Sequence, residues 1–262
     1  MTRPIRYLIL ATPRSGSTLL GQGLQATRLA GDPKEYFGHK MAYWMERWQS
    51  PGLADYAERL MRTRSSRNGV FGAKLHYRQL LHLEGVARDD PGFAQLPLAD
   101  VLSSMFPNLH LIWATRDDKV RQAISWFKAR QTGVWGQDSS TETVKLGRAW
   151  RFGDEPLQPG ELAFDYAGID ALLHQAEEED AAIGEILARL PFPSSRVVYE
   201  EFSGRYDASL KDLLTWMGIE TPANLTIDKP RTIRLADDRT EEWVARFHEL
   251  SRSVSPQREL ES

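Results

Sequence analysis

The segment Ile5 to Leu20, IRYLILATPRSGSTLL, constrains the fold more than any other part of the chain. An apolar run stops at Pro13 and resumes after Gly16 with helical character, so the segment reads as strand, tight turn and helix. Tyr7, Leu8, Ile9 and Leu10 are the unbroken apolar run expected of a strand buried on both faces of a parallel sheet. Gly16 lets the backbone turn where a Cβ would obstruct. The helix opened by Ser17 and Thr18 starts with amide N–H groups that have no intrahelical acceptor, and Arg14 adds a permanent cation. A loop of this construction binds phosphate or sulfate, and Pro13, Arg14, Ser15, Gly16, Ser17 and Thr18 are its expected contacts.

The loop departs from the nucleoside-triphosphatase pattern G-x-x-x-x-G-K-[ST] where that chemistry depends on it. Ala11 stands where the first glycine is needed and Ser17 where the lysine is needed. Without that lysine, and without a clear acidic strand end to hold magnesium, a kinase loses much of its machinery. Pro13-Arg14-Ser15-Gly16-Ser17-Thr18 instead resembles the 5′-phosphosulfate loop of the sulfotransferase superfamily, P-[KR]-S-G-[ST]-T, which holds 3′-phosphoadenosine 5′-phosphosulfate (PAPS).

A second segment agrees. LHLIWAT from Leu109 to Thr115 is another buried-strand run, and Arg116-Asp117-Asp118 leads into a helix, with a capping-type Asp at its start. Val120, Ala123, Ile124 and Phe127 give that helix one buried face, and Gly133 a stop. Sulfotransferases carry an Arg at such a strand end and a Ser on the following helix, both directed at the 3′-phosphate; the resemblance assigns these roles to Arg116 and Ser125, one residue further apart than the more widespread spacing. TRDDKVRQAISWFKARQTGVW, GDPKEYF from Gly31, FGAKL from Phe71 and the helix from Asp237 to Phe247 are similar to the bacterial trehalose 2-sulfotransferase family, and together they span most of the chain.

That resemblance makes Glu35 the expected general base, a role that calls for desolvation to raise the proton affinity of its carboxylate, with Tyr36 and Phe37 as the apolar wall. It also implies a homodimer; the amphipathic helix around Trp243 and Phe247 offers a contact for it, although packing within the chain explains those residues equally well. Lys74 and His76 end a strand read from Gly69 to Leu75, where open α/β sheets place ligands, and are expected to hold the acceptor or sulfuryl group. Trp135 and Trp150 are the expected acceptor contacts of the polar stretch that runs to Gly160. Lys229, Arg231 and Arg234 form a late basic segment expected to close over the cofactor.

Helices are read at 40–48 and 53–64, a loop at 89–97, a long helix from Tyr166 to Leu190 and a last strand from Arg196 to Tyr199. The Glu177-Glu178-Glu179-Asp180 run is taken as a solvated face. The expected fold is one α/β domain over 1–262, with three layers, P-loop-like, in which helices cover both faces of a short, mainly parallel sheet.

A charge of −3, from 33 basic and 36 acidic residues, offers no global attraction to nucleic acid or anionic membrane. No cysteine is present, which excludes disulfides and thiol nucleophiles. No leader or membrane-spanning pattern is read, and cytoplasm is the default. The expected activity is metal-free transfer of a sulfuryl group from PAPS to a hydroxyl of a small molecule or glycan, trehalose by resemblance. A magnesium-dependent nucleotide kinase and an inert nucleotide-binding protein are the alternatives.

Overall fold

The structure, a computed structural model, describes residues 4–38, 40–137, 144–146, 162–228 and 237–258. The chain divides into two compact units: Met1–Asp117 with Glu179–Pro230, and Asp118–Glu178 with Arg231–Ser262.

The first unit is built on a four-stranded sheet. Its strands are β1 (Arg6–Ala11), β2 (Phe71–His76), β3 (Leu109–Thr115) and β6 (Ser194–Val198), ordered β2-β1-β3-β6 and parallel at every pairing. Side chains alternate across β1, so both faces need cover. Leu8 and Leu10 enter one core with Met41, Tyr56, Leu60, Leu80, Leu83 and Leu102, from helices α2 (Met41–Arg47), α3 (Leu53–Arg64), α4 (Tyr77–Asp89) and α5 (Leu98–Met105). Tyr7, Ile9 and Ala11 enter the other, with Leu20 and Leu24 of α1 (Ser17–Ala26) and Leu210, Leu213 and Leu214 of α9 (Tyr206–Trp216). The expected three-layer α/β arrangement is therefore present in this unit. Parallel register brings Ala11, His76 and Ala114 level, so the segments after β1, β2 and β3 leave the sheet at one end.

Gly72 faces Tyr7 across the β1–β2 pairing. A Cβ at Gly72 would lie 2.1 Å from Cζ of Tyr7. The Tyr7 ring is fully buried and its hydroxyl donates to the Ala30 carbonyl at 2.7 Å, so it has nowhere to move. Gly72→Ala is expected to destabilise the protein by about 1–3 kcal/mol, the usual cost of overpacking. An unchanged urea midpoint would show that the ring yields.

The second unit has its own core of Ala123, Ile124, Trp126, Ile169, Leu172, Ala176, Trp243 and Phe247. These come from α6 (Lys119–Thr132), the first part of α7 (Tyr166–Arg189) and α10 (Asp238–Arg258). Asp118 caps α6 by accepting from the Arg121 amide at 2.8 Å, and Gly133 ends it at a φ of 67°. Arg121 pairs with Glu241 and Lys128 with Asp237, tying α10 to α6. The antiparallel pair β4 (Val134–Gln137) and β5 (Val144–Leu146) falls where irregular chain was expected.

The acidic run of α7 divides: Glu177 and Glu178 are exposed, as expected of a solvated face, whereas Glu179 and Asp180 correct that expectation. Glu179 and Asp180 are 5% and 8% exposed. Asp180 accepts from Trp113 Nε1 at 2.8 Å and Thr115 Oγ1 at 2.6 Å, and Glu179 accepts from Arg78 Nε at 2.8 Å. The helix turns both carboxylates inward, where donors on β3 and α4 offset their desolvation. Among the described residues no helix is long and apolar enough to cross a membrane.

Candidate active site

The loop after β1 folds through two left-handed residues, Arg14 at a φ of 64° and Gly16 at 87°. Leu20 N–H donates to the Gly16 carbonyl at 3.1 Å, closing the first turn of α1, and no side chain among the described residues caps that end of the helix. Ser15 is 1% exposed, and its buried hydroxyl has no hydrogen-bond partner among the described residues. The orphan amides of the first turn, this hydroxyl and a cationic side chain make up the donor set of an anion site. The Arg14 guanidinium is held down to about 10, first by burial and then by the charge of Arg116, against a smaller upward pull from Tyr199. It remains charged at neutral pH.

Glu35 sits beside this loop because the segment before it is stitched to the sheet edge. Lys34 forms a parallel bridge to Ala73 of β2, and the Lys74 amide donates to the Lys34 carbonyl at 3.0 Å. Lys74, 6% exposed, then spans the gap: its Nζ is 3.0 Å from Thr18 Oγ1 of the loop helix and 2.9 Å from Glu35 Oε1. Gln79 of α4 donates to Glu35 Oε2 at 2.8 Å while its own oxygen accepts the His76 amide at 2.9 Å.

The expected rise in Glu35 proton affinity is not what the site produces. Burial pushes the carboxyl up, but the ammonium of Lys74, the neighbouring His76 and hydrogen bonds from Lys74 and Gln79 outweigh it and hold the group at about 2. Burial lowers His76 to about 4, helped by Lys74 and Arg14 and opposed by Glu35, so its imidazole is neutral at pH 7. In Lys74→Met the largest opposing charge is gone and burial acts on Glu35 with less resistance. Its pKa is expected to climb from about 2 toward or past the ordinary 4.5, which a carboxyl-carbon NMR titration reads; an unmoved resonance would clear Lys74 of that role.

Both rings of the expected aromatic wall pack on the first core. The Tyr36 hydroxyl donates to the Asp32 carbonyl at 2.6 Å and its ring stacks on Phe71. Phe37 is fully buried, edge-on to Tyr56 and Phe106, and belongs to the core rather than to an acceptor surface.

Arg116 leaves the end of β3 with its side chain 12% exposed. Its guanidinium lies 4.8 Å over the ring of Tyr199, and its Nε is 3.4 Å from Glu200 Oε1. The other Glu200 oxygen accepts the Asp117 amide at 3.0 Å. Tyr199 and Glu200 open α8 (Tyr199–Gly204) directly after β6. The sequence reading ends the last strand at Tyr199, whereas Tyr199 is the first residue of the helix.

Ser125, half-buried on α6, and Trp135, packed against the second core, belong to the second unit. His39, Trp150, Lys229, Arg231 and Arg234 lie outside the described residues.

The fold and this loop define a sulfotransferase. The model of the Stf0 sulphotransferase family matches residues 6–250, and the chain belongs to that family. Over 282 aligned positions it is 26% identical to trehalose 2-sulfotransferase of Mycobacterium tuberculosis (strain ATCC 35801 / TMC 107 / Erdman), covering 94% of this chain and 96% of that protein. It is 35% identical over 161 positions to trehalose 2-sulfotransferase of Mycolicibacterium smegmatis (strain ATCC 700084 / mc(2)155), covering 50% of this chain and 59% of that one. A solved sulfotransferase from Alicyclobacillus acidocaldarius is 15% identical, with a TM-score of 0.47 over 95% of this chain and 93% of that chain.

Proposed function

We propose that the protein transfers the sulfuryl group of PAPS to a carbohydrate hydroxyl, with trehalose as the first acceptor to test. The observation that carries the reading is the single lysine linking the anion loop to a carboxylate: Lys74 touches Thr18 on one side and Glu35 on the other. Sulfuryl transfer needs that adjacency, with anion-stabilising donors and a proton acceptor facing one another across the reacting atom. The family membership and the names of the two relatives support the acceptor class.

In this reading the loop amides, Ser15 and Arg14 hold the 5′-phosphosulfate. The bond from sulfur to the bridging oxygen breaks, and a new one forms from sulfur to the acceptor oxygen. Arg14 offsets charge growing on the leaving phosphate. Lys74 is drawn toward the sulfuryl oxygens and slackens its hold on Glu35, whose carboxylate regains proton affinity and takes the acceptor's proton. Adenosine 3′,5′-bisphosphate leaves, its 3′-phosphate held by Arg116 and, on the resemblance, by Ser125, with Arg231 and Arg234 closing over it. Tyr36, His76 and Trp135 are proposed acceptor contacts.

No step calls for a metal. The two units are proposed to work as one sulfotransferase domain, which the family match across both supports. A homodimer and a cytoplasmic setting, where PAPS is made, complete the reading.

The test is mass spectrometry of an acceptor panel including trehalose after incubation with the protein and PAPS. A sulfated sugar formed without magnesium is the expected result. Binding of the adenosine bisphosphate with no acceptor modified would leave an inert nucleotide-binding protein, and magnesium-dependent phosphorylation from ATP would make it a kinase.

A further inference from the structure

Tyr199 fills the space between the anion loop and Arg116. On one side its ring lies against Gly16, where an added Cβ would come within 2.4 Å of Tyr199 Cδ2. On the other its face carries the Arg116 guanidinium at 4.8 Å. Arg14 and Arg116 are close enough to repel one another. Two cations required at a set separation drift apart unless something holds them, and a rigid ring with a negative face does so at little cost in rotamer freedom. Glu200 steadies the same guanidinium from the side, yet Arg116 Nε, although buried, makes no hydrogen bond among the described residues.

We propose that Tyr199 is the positioning residue for 3′-phosphate recognition. By packing on Gly16 and stacking on Arg116, it fixes the spacing of the two anion sites and so sets the preference for a nucleotide 3′,5′-bisphosphate over its 5′-monophosphate. The proposal rests on the reading of Arg116 as the 3′-phosphate contact. Arg has many rotamers, and those that swing it away from the ligand are closed off by the ring before the ligand arrives.

The experiment is calorimetric titration of the full chain with adenosine 3′,5′-bisphosphate and with adenosine 5′-phosphate, so that the readout is a ratio of affinities and not activity. Tyr199→Leu, which keeps bulk and loses the π face, is expected to shrink the preference for the bisphosphate about tenfold, the scale of a partly buried cation–π contact. Tyr199→Phe is expected to retain it.

Equal weakening of both ligands in Tyr199→Leu would reduce the residue to loop packing and overturn the proposal. Loss in Tyr199→Phe as well would overturn it by placing the effect in the hydroxyl. If Tyr199→Leu fails to fold, Tyr199→Met is titrated with the same two criteria. Arg116→Ala separates the premises: an unaltered preference there overturns the reading of Arg116. A lost preference there beside an unaltered one in Tyr199→Leu overturns the role of Tyr199 alone.

Discussion

Glu35→Gln binds adenosine 3′,5′-bisphosphate as the unaltered protein does and loses turnover by about 10²–10⁴-fold, the scale of general-base catalysis. The amide is nearly isosteric and keeps one acceptor oxygen, but it cannot take a proton with useful affinity. One of the two donors on the carboxylate, Lys74 or Gln79, loses its partner. The Glu35 side chain is 39% exposed, so solvent compensates and the fold survives.

Stability has a pH signature of its own. A carboxyl held at about 2 contributes stability that is present above its unfolded value and lost as pH falls through about 2. Glu35→Gln should therefore be less stable than the unaltered protein at pH 7, and the gap should close on acidification. Denaturant titrations at several pH values check it. Near-normal turnover by a folded Glu35→Gln would move the base to His76, which is neutral at pH 7, or to His39.

Arg14→Ala is expected to cost about 10²–10³-fold in transfer, as when one donor to a developing oxyanion is removed from an enclosed site. Position 14 already has a positive φ with a Cβ in place, so the exchange adds no backbone strain of the kind glycine relieves. Arg14→Lys restores a charge without the planar fork and should fall between the two. Single-turnover rates with cofactor affinity measured in parallel separate chemistry from binding. A loss below tenfold in Arg14→Ala would leave the loop amides as sufficient stabilisers.

The anion loop was legible because its requirements are local: an apolar strand, a glycine able to take a positive φ and a helix start are written in consecutive residues. The same holds for β3 and the cap at Asp118. What escaped depends on residues remote in sequence. Tyr199 matters through Gly16 and Arg116, and nothing in the stretch after Arg196 announces either partner. Asp180 reads as one more charge in an acidic run until the sheet puts Trp113 and Thr115 against it. Burial alone would raise the proton affinity of Glu35; the pairing with Lys74 that lowers it depends on the register of β2 and is not written in either local sequence. Helices α4, α5 and α9 show their apolar spacing plainly only once the sheet supplies the face they cover.

The bridge from Lys34 to Ala73 has a second consequence. β2 stands at the border of the sheet, and apart from β1 its backbone neighbour is this one-residue stitch. An uncovered parallel border offers unpaired amides and carbonyls to any extended segment of another molecule. The turn that presents Glu35 thus also works as a guard rail against self-association, and substitutions that loosen residues 31–38 should send the protein into aggregates as well as silence it. Attempts to reshape acceptor choice by lengthening that turn would meet insolubility before they met a new specificity.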